Sequence, residues 1–122
     1  MYGGDIEPFQ NIENATCYKM DMYSQEALNL FEDFYFDIVV DDGPHTYESF
    51  EMVMTKYYSK IKDGGILIIE DVINPLWVEP LVKLSESLGY SKCQPFNMAG
   101  KQKKQGLLNQ WKNGLYILKI TK

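Results

Sequence analysis

The spacing of apolar and polar residues changes several times along the chain, and each change marks a predicted element. Phe36-Asp37-Ile38-Val39-Val40 is apolar and β-branched until it stops in Asp41-Asp42, followed by Gly43-Pro44-His45. Such a run is the pattern of a strand buried on both faces that delivers charge to a sheet edge. Gly65-Ile66-Leu67-Ile68-Ile69 repeats the design after the turn Lys62-Asp63-Gly64 and ends in Glu70-Asp71. Between the two runs, Phe50, Val53, Met54, Tyr57, Tyr58 and Ile61 recur at helical spacing, which predicts an amphipathic helix over about residues 46–61. Thr46 is its N-cap candidate, and Glu48 and Glu51 suit the positive end of a helix. Two apolar strands joined by a helix form a right-handed crossover between parallel strands, and ligands in open parallel sheets bind beyond the carboxyl ends of the strands. Asp41, Asp42, His45, Glu70 and Asp71 all fall there.

The flanking pattern extends this unit into one α/β domain over residues 1–122. Tyr2-Gly3-Gly4-Asp5 reads as the last residues of a strand, Asn11 to Asn14 as a polar turn, and Thr16 to Met20 as a short strand closing on Asp21. Ser24 caps a short helix with Glu26 in its first turn and Ala27, Leu28, Leu30 and Phe31 as apolar positions. After Asp71 the chain turns through Asn74-Pro75 into a helix with Pro80 in its first turn, a stripe of Leu81, Leu84 and Leu88, and a stop at Gly89. Tyr90 to Phe96 is a strand candidate weakened by Pro95. Residues Asn97 to Asn113 read as a polar loop, and Leu115 to Ile120 as a final strand.

Composition narrows the partners. With 122 residues, 45% hydrophobic and 14% aromatic, the chain has room for one domain with a modest core. A net charge of −5 argues against a nucleic-acid surface. The short basic cluster Lys101, Lys103 and Lys104 reads as a solvated loop. No apolar run reaches the roughly 18 residues of a membrane span, and the first residues do not read as a signal peptide. Cys17 and Cys93, far apart and without a metal-ligand pattern, are expected to be reduced thiols of a cytoplasmic protein.

Several carboxylates converging on one sheet edge repel one another unless some are protonated or a cation is present. Hard oxygen ligands favour Mg²⁺ or a similar divalent ion, which keeps positions open for water and substrate oxygens. A hydroxyl bound to such an ion is easier to deprotonate, and an imidazole accepts a proton at neutral pH. Plainer readings stand beside this one. Asp41 and Asp42 are also suited to capping the following turn, His45 to a local hydrogen bond before Thr46, and Glu70-Asp71 to an N-cap.

The run from Phe36 to His45, together with Lys62 to Asp71, resembles the central part of class I S-adenosylmethionine-dependent methyltransferases. Within that superfamily it is most like the metal-dependent sugar O-methyltransferases typified by macrocin O-methyltransferase. The resemblance implies a Rossmann-like sheet, mostly parallel with an antiparallel C-terminal strand. It implies S-adenosylmethionine as cofactor, Asp42, Glu70 and Asp71 as metal ligands, and His45 and Asp42 as catalytic residues, His45 being the general base that takes the hydroxyl proton. Gly4, Asp5, Asp21 and Asp41 match cofactor-binding positions, Asp5 meeting the ribose diol and Asp21 the adenine amino group; an ordinary turn role is open to each. The acceptor would be a sugar or another small hydroxylated molecule.

One departure is large. No first strand with its glycine-rich turn precedes Asp5, so the expectation is a sheet lacking its first strand and helix, in a chain truncated at its N-terminus or paired with another copy. The alternative function is a noncatalytic Rossmann-like binding or assembly module.

Overall fold

The computed structural model describes residues 1–5, 13–98 and 115–122, which form two compact units, Met1–Glu32 and Asp33–Lys122. In the first unit, β1 (Tyr2–Asp5) pairs in parallel with β2 (Thr16–Lys19), and α1 (Gln25–Leu28) follows. Ser24 caps α1 as its sequence suggests, its Oγ accepting from the Ala27 amide at 3.2 Å. Ala27, Leu28 and Phe31 are buried, with the Phe31 ring edge-on to Tyr2 and Tyr18. Leu30, expected in that apolar set, is 44% exposed: it lies past the end of the helix at Leu28, where Phe31 and not Leu30 turns inward.

The second unit holds the four-stranded sheet, in the order β3-β4-β6-β5. Its elements are β3 (Phe36–Asp41), α2 (Tyr47–Lys56), β4 (Ile61–Val72), a 3-10 turn at Pro75–Trp77, α3 (Val78–Leu88), β5 (Lys92–Asn97) and β6 (Tyr116–Thr121). β3 and β4 are parallel, as the pattern predicted, and β6 runs antiparallel to both of its neighbours, as the resemblance implied. Thr46 starts α2 with a reciprocal cap: its Oγ1 accepts from the Ser49 amide, and Ser49 Oγ accepts from the Thr46 amide, both at 3.1 Å. α3 stops at Gly89, whose φ of 97° is left-handed. Pro95 is accommodated because β5 is an edge strand, with a ladder on one side only.

Two boundaries differ from the sequence reading. α2 ends at Lys56 rather than near Ile61: Tyr57 to Lys60 form a turn, and Ile61 already pairs with Phe36 as the start of β4. Tyr57 and Ile61 remain buried, so the helical spacing continues past the helix itself. The turn Lys62-Asp63-Gly64 is an irregularity inside β4, where the register with β3 jumps between Phe36 and Ile38. Gly65 closes it, because a Cβ there would lie 2.7 Å from the Ile61 side chain and 3.0 Å from the Asp37 carbonyl oxygen. The polar loop expected at 97–113 lies, beyond Met98, outside the described residues.

The core occupies one face of the sheet. Leu67 and Ile69 of β4 and Leu118 and Ile120 of β6 are buried, together with Phe50, Val53 and Met54 of α2 and Leu81 of α3. The register places Ile38, Val40, Ile66 and Ile68 on the opposite face, where Ile38 and Val40 are 57% and 55% exposed. β3 was expected to be buried on both faces; among the described residues it is an edge strand, and the helical layer covers only the Val39 and Asp41 side. Among the described residues no helix is long and apolar enough to cross a membrane.

The Tyr90 hydroxyl is buried and donates to the Met54 carbonyl at 2.8 Å. Burial and the neighbouring Tyr58 push its pKa above the ordinary tyrosine value. Because the folded value exceeds the unfolded one, the neutral hydroxyl's contribution to stability is whole below about pH 10 and is lost as pH rises further. Tyr90→Phe should therefore cost about 1 kcal/mol in denaturant unfolding at pH 7, and the loss of stability above about pH 10 should be shallower in the variant.

Candidate functional site

Parallel pairing aligns Asp41 with Ile69, so β3 and β4 deliver their acidic ends to the same side of the sheet. Beyond Ile69 the register with β6 breaks, and Ile69 and Val72, three residues apart, are both buried. One extra residue is accommodated there, the signature of a bulge that re-aims a side chain. Asp71 takes up the change with φ of 52°, a left-handed conformation uncommon outside glycine. His45, on the loop between β3 and α2, is left-handed as well, with φ of 56°. The Thr46 and Ser49 cap fixes the chain immediately after it.

These two residues and Asp42 come together. His45 Nε2 lies 3.1 Å from Asp42 Oδ1, and one ligand atom from each of Asp42, His45 and Asp71 lies within 4.8 Å of the others. Asp42 is the exposed member, with 69% of its side chain accessible, while His45 and Asp71 are half-buried. Two carboxylates and an imidazole at this spacing suit a divalent cation with further positions left for water or substrate. Glu70, expected as the third oxygen ligand, is outside the group: strand alternation sets it on the side of Ile66 and Ile68. His45, expected only as a base, is the third member. The bulge, which no sequence pattern announced, decides which of the two acids joins.

The expected cofactor residues divide between the units. Asp41 is 7% exposed, and its Oδ2 has no hydrogen-bond partner, although the residue makes other interactions. In the first unit Asp5 ends β1 and is exposed. Gly4 lies under Met22: a Cβ there would meet the Met22 sulfur, so a larger residue would have to displace the flexible end of that side chain. Asp21 Oδ1 accepts from the Tyr23 amide at 2.8 Å, the turn role that its sequence left open. Cys17 and Cys93 are free thiols, and burial pushes the Cys93 thiol pKa up.

No protein-family model and no curated protein sequence matches the chain. Solved structures match it by fold. It superposes on an S-adenosylmethionine-dependent methyltransferase from Archaeoglobus fulgidus with a TM-score of 0.66, at 17% identity, over 99% of this chain and 75% of that one. Spermidine synthase from Thermotoga maritima matches with a TM-score of 0.59 at 14% identity, over 89% of this chain and 35% of that one. A possible exported protein from Bordetella parapertussis matches with a TM-score of 0.53 at 11% identity, over 88% of this chain and 44% of that one. The chain thus spans three quarters of the first of these proteins and less than half of the other two. The α/β fold with its antiparallel C-terminal strand is that of the methyltransferase structure.

Left-handed backbone at Asp71 stores strain that glycine would release. Asp71→Gly should leave thermal stability unchanged or raise it by about 1 kcal/mol while weakening divalent-cation binding. A marked loss of stability in thermal unfolding would instead assign the Asp71 side chain to holding the fold.

Proposed function

We propose that the chain is a methyl-transfer domain that uses S-adenosylmethionine and methylates a hydroxyl of a small acceptor at a divalent-cation site. The observation that carries this reading is the gathering of Asp42, His45 and Asp71 at the carboxyl ends of β3 and β4, on a fold similar to a methyltransferase.

In this reading Asp42 and Asp71 provide oxygen ligands for Mg²⁺ or a similar ion. The ion supplies Lewis acidity, which makes an acceptor hydroxyl easier to deprotonate. His45 Nε2 lies 3.1 Å from Asp42 Oδ1; in the tautomer this reading assigns, Nε2–H is donated there and the Nδ1 lone pair is left for the hydroxyl proton. S-adenosylmethionine, when bound, would supply its sulfonium methyl group to that oxygen and leave as a neutral thioether. Positioning rather than covalent catalysis carries this step. Asp5 and Asp21, at the ends of β1 and β2, are the proposed partners of the cofactor's ribose and adenine. Burial of Asp41 restricts it to a supporting role on the helix-covered side of β3.

The exposure of Ile38 and Val40 favours a second reading, a noncatalytic module whose sheet serves assembly. One assay separates the two: transfer of labelled methyl from S-adenosylmethionine to methyl glucoside and other small polyols, with Mg²⁺ and with EDTA. The enzyme reading expects transfer that EDTA abolishes. Asp42→Asn should lower it by more than the roughly 10- to 100-fold that the loss of an outer-shell partner costs. Transfer indifferent to EDTA and to Asp42→Asn would remove the cation from the account. A folded protein that transfers no methyl group to any acceptor supports the assembly reading.

A further inference from the structure

We infer that Ser49 is a positioning residue for His45: its buried hydroxyl fixes the peptide link between His45 and Thr46 and so keeps the imidazole beside Asp42. This deepens the reading of the Asp42, His45 and Asp71 cluster given above and rests on it.

The loop that carries His45 offers it little other restraint. The ring of Pro44 fixes its own φ and biases Gly43 toward extended backbone, but it leaves the torsions of His45 open. His45 nevertheless occupies the left-handed region with φ of 56°, where a residue with a Cβ is uncommon and persists only with support from its surroundings. Its contact with Asp42, Nε2 to Oδ1 at 3.1 Å, joins a side chain that is 69% accessible, and exposed pairs of this kind contribute too little to hold a backbone torsion. The restraint lies on the C-terminal side of His45.

There Ser49 holds Thr46 by both of its backbone groups. The Thr46 amide donates to Ser49 Oγ at 3.1 Å, and the Ser49 hydroxyl donates to the Thr46 carbonyl at 2.9 Å. That amide belongs to the same planar peptide unit as the His45 carbonyl, so fixing its direction fixes ψ of His45. Ser49 is 1% exposed, and little water reaches it to compete for either bond. The helix is served by the other half of the cap: Thr46 Oγ1 accepts from the Ser49 amide at 3.1 Å, and the Thr46 carbonyl already receives the Phe50 amide at 3.2 Å. The Thr46 amide lies ahead of α2, and its anchor on Ser49 acts on the residue before it. The reciprocal cap divides into one half for the helix and one for the histidine.

Two substitutions separate these halves. Ser49→Ala removes the anchor on the Thr46 amide but keeps the backbone amide that Thr46 Oγ1 caps, so α2 still starts in place. Thr46→Ala removes the helix cap and keeps the anchor. Mn²⁺ is titrated into the wild type and each variant, and the intraresidue amide-to-Hα NOE of His45, strong only when φ is positive, is read in the metal-free protein. His45 is the only histidine in the chain, which makes its signals easy to assign. Ser49→Ala should weaken Mn²⁺ binding about tenfold, the low end of what the loss of an outer-shell partner costs, and should abolish the strong NOE. Thr46→Ala should lose at least as much thermal stability and leave both readouts unchanged. Ser49→Thr, which keeps a hydroxyl able to reach the Thr46 carbonyl, should restore both. An NOE and an affinity unchanged in Ser49→Ala, or lost equally in Thr46→Ala, would overturn the inference. If the wild type binds no Mn²⁺, the cation site fails, and the inference stands or falls on the NOE alone.

Discussion

The parallel pairing of β3 with β4 is the constraint from which the second unit's chemistry follows. With Asp41 opposite Ile69, the two strands must end on one side of the sheet, and their terminal acids must share it. Like charges placed close together repel, so the ends of the strands become either a source of strain or a place for a cation. The local backbone is irregular at the same place. Asp71 leaves the β-region just where the ladder with β6 breaks, and His45 leaves it just before a fully satisfied helix cap. Left-handed non-glycine residues persist only where surrounding structure over-determines them, and two of the four among the described residues belong to this cluster.

The asymmetry of the sheet follows from where the helices lie. Residues of α2 and α3 are buried together with alternate residues of β4 and β6, and this single layer supplies the core. The opposite face is apolar along β3 and β4, and β3 is an edge strand that carries no proline or lysine. Natural edge strands are usually protected by such residues, by bulges or by covering segments. The run of apolar residues on both sides of β3 therefore has the composition of an interior strand, which is why its sequence reads as doubly buried.

Period and capping chemistry made most of the fold legible. Thr46, Ser24 and Gly89 mark helix ends because their side chains or backbone meet needs that local sequence determines. The end of α2 was less visible, since Tyr57 and Ile61 keep helical spacing while serving a turn and a strand. At the site, the acids and the histidine were evident from the abrupt charge after each apolar run, and three of the five meet. Glu70 and Asp71 were indistinguishable by pattern, because a bulge depends on the neighbouring strand and not on the two residues themselves. That Asp21 holds a turn is a fact of the same kind.

The measurement that bears most directly on the account is paramagnetic: Mn²⁺ added in substoichiometric amount to the protein, with amide signals followed by NMR. Gathering of Asp42, His45 and Asp71 around one cation predicts that the signals of these three residues and of Gly43 broaden first, at one ion per chain, and that excess Mg²⁺ reverses the effect. Broadening that begins instead at exposed acids such as Asp33 or Glu79, or that spreads evenly over the surface, would contradict it. The cluster would then be an incidental meeting of strand ends.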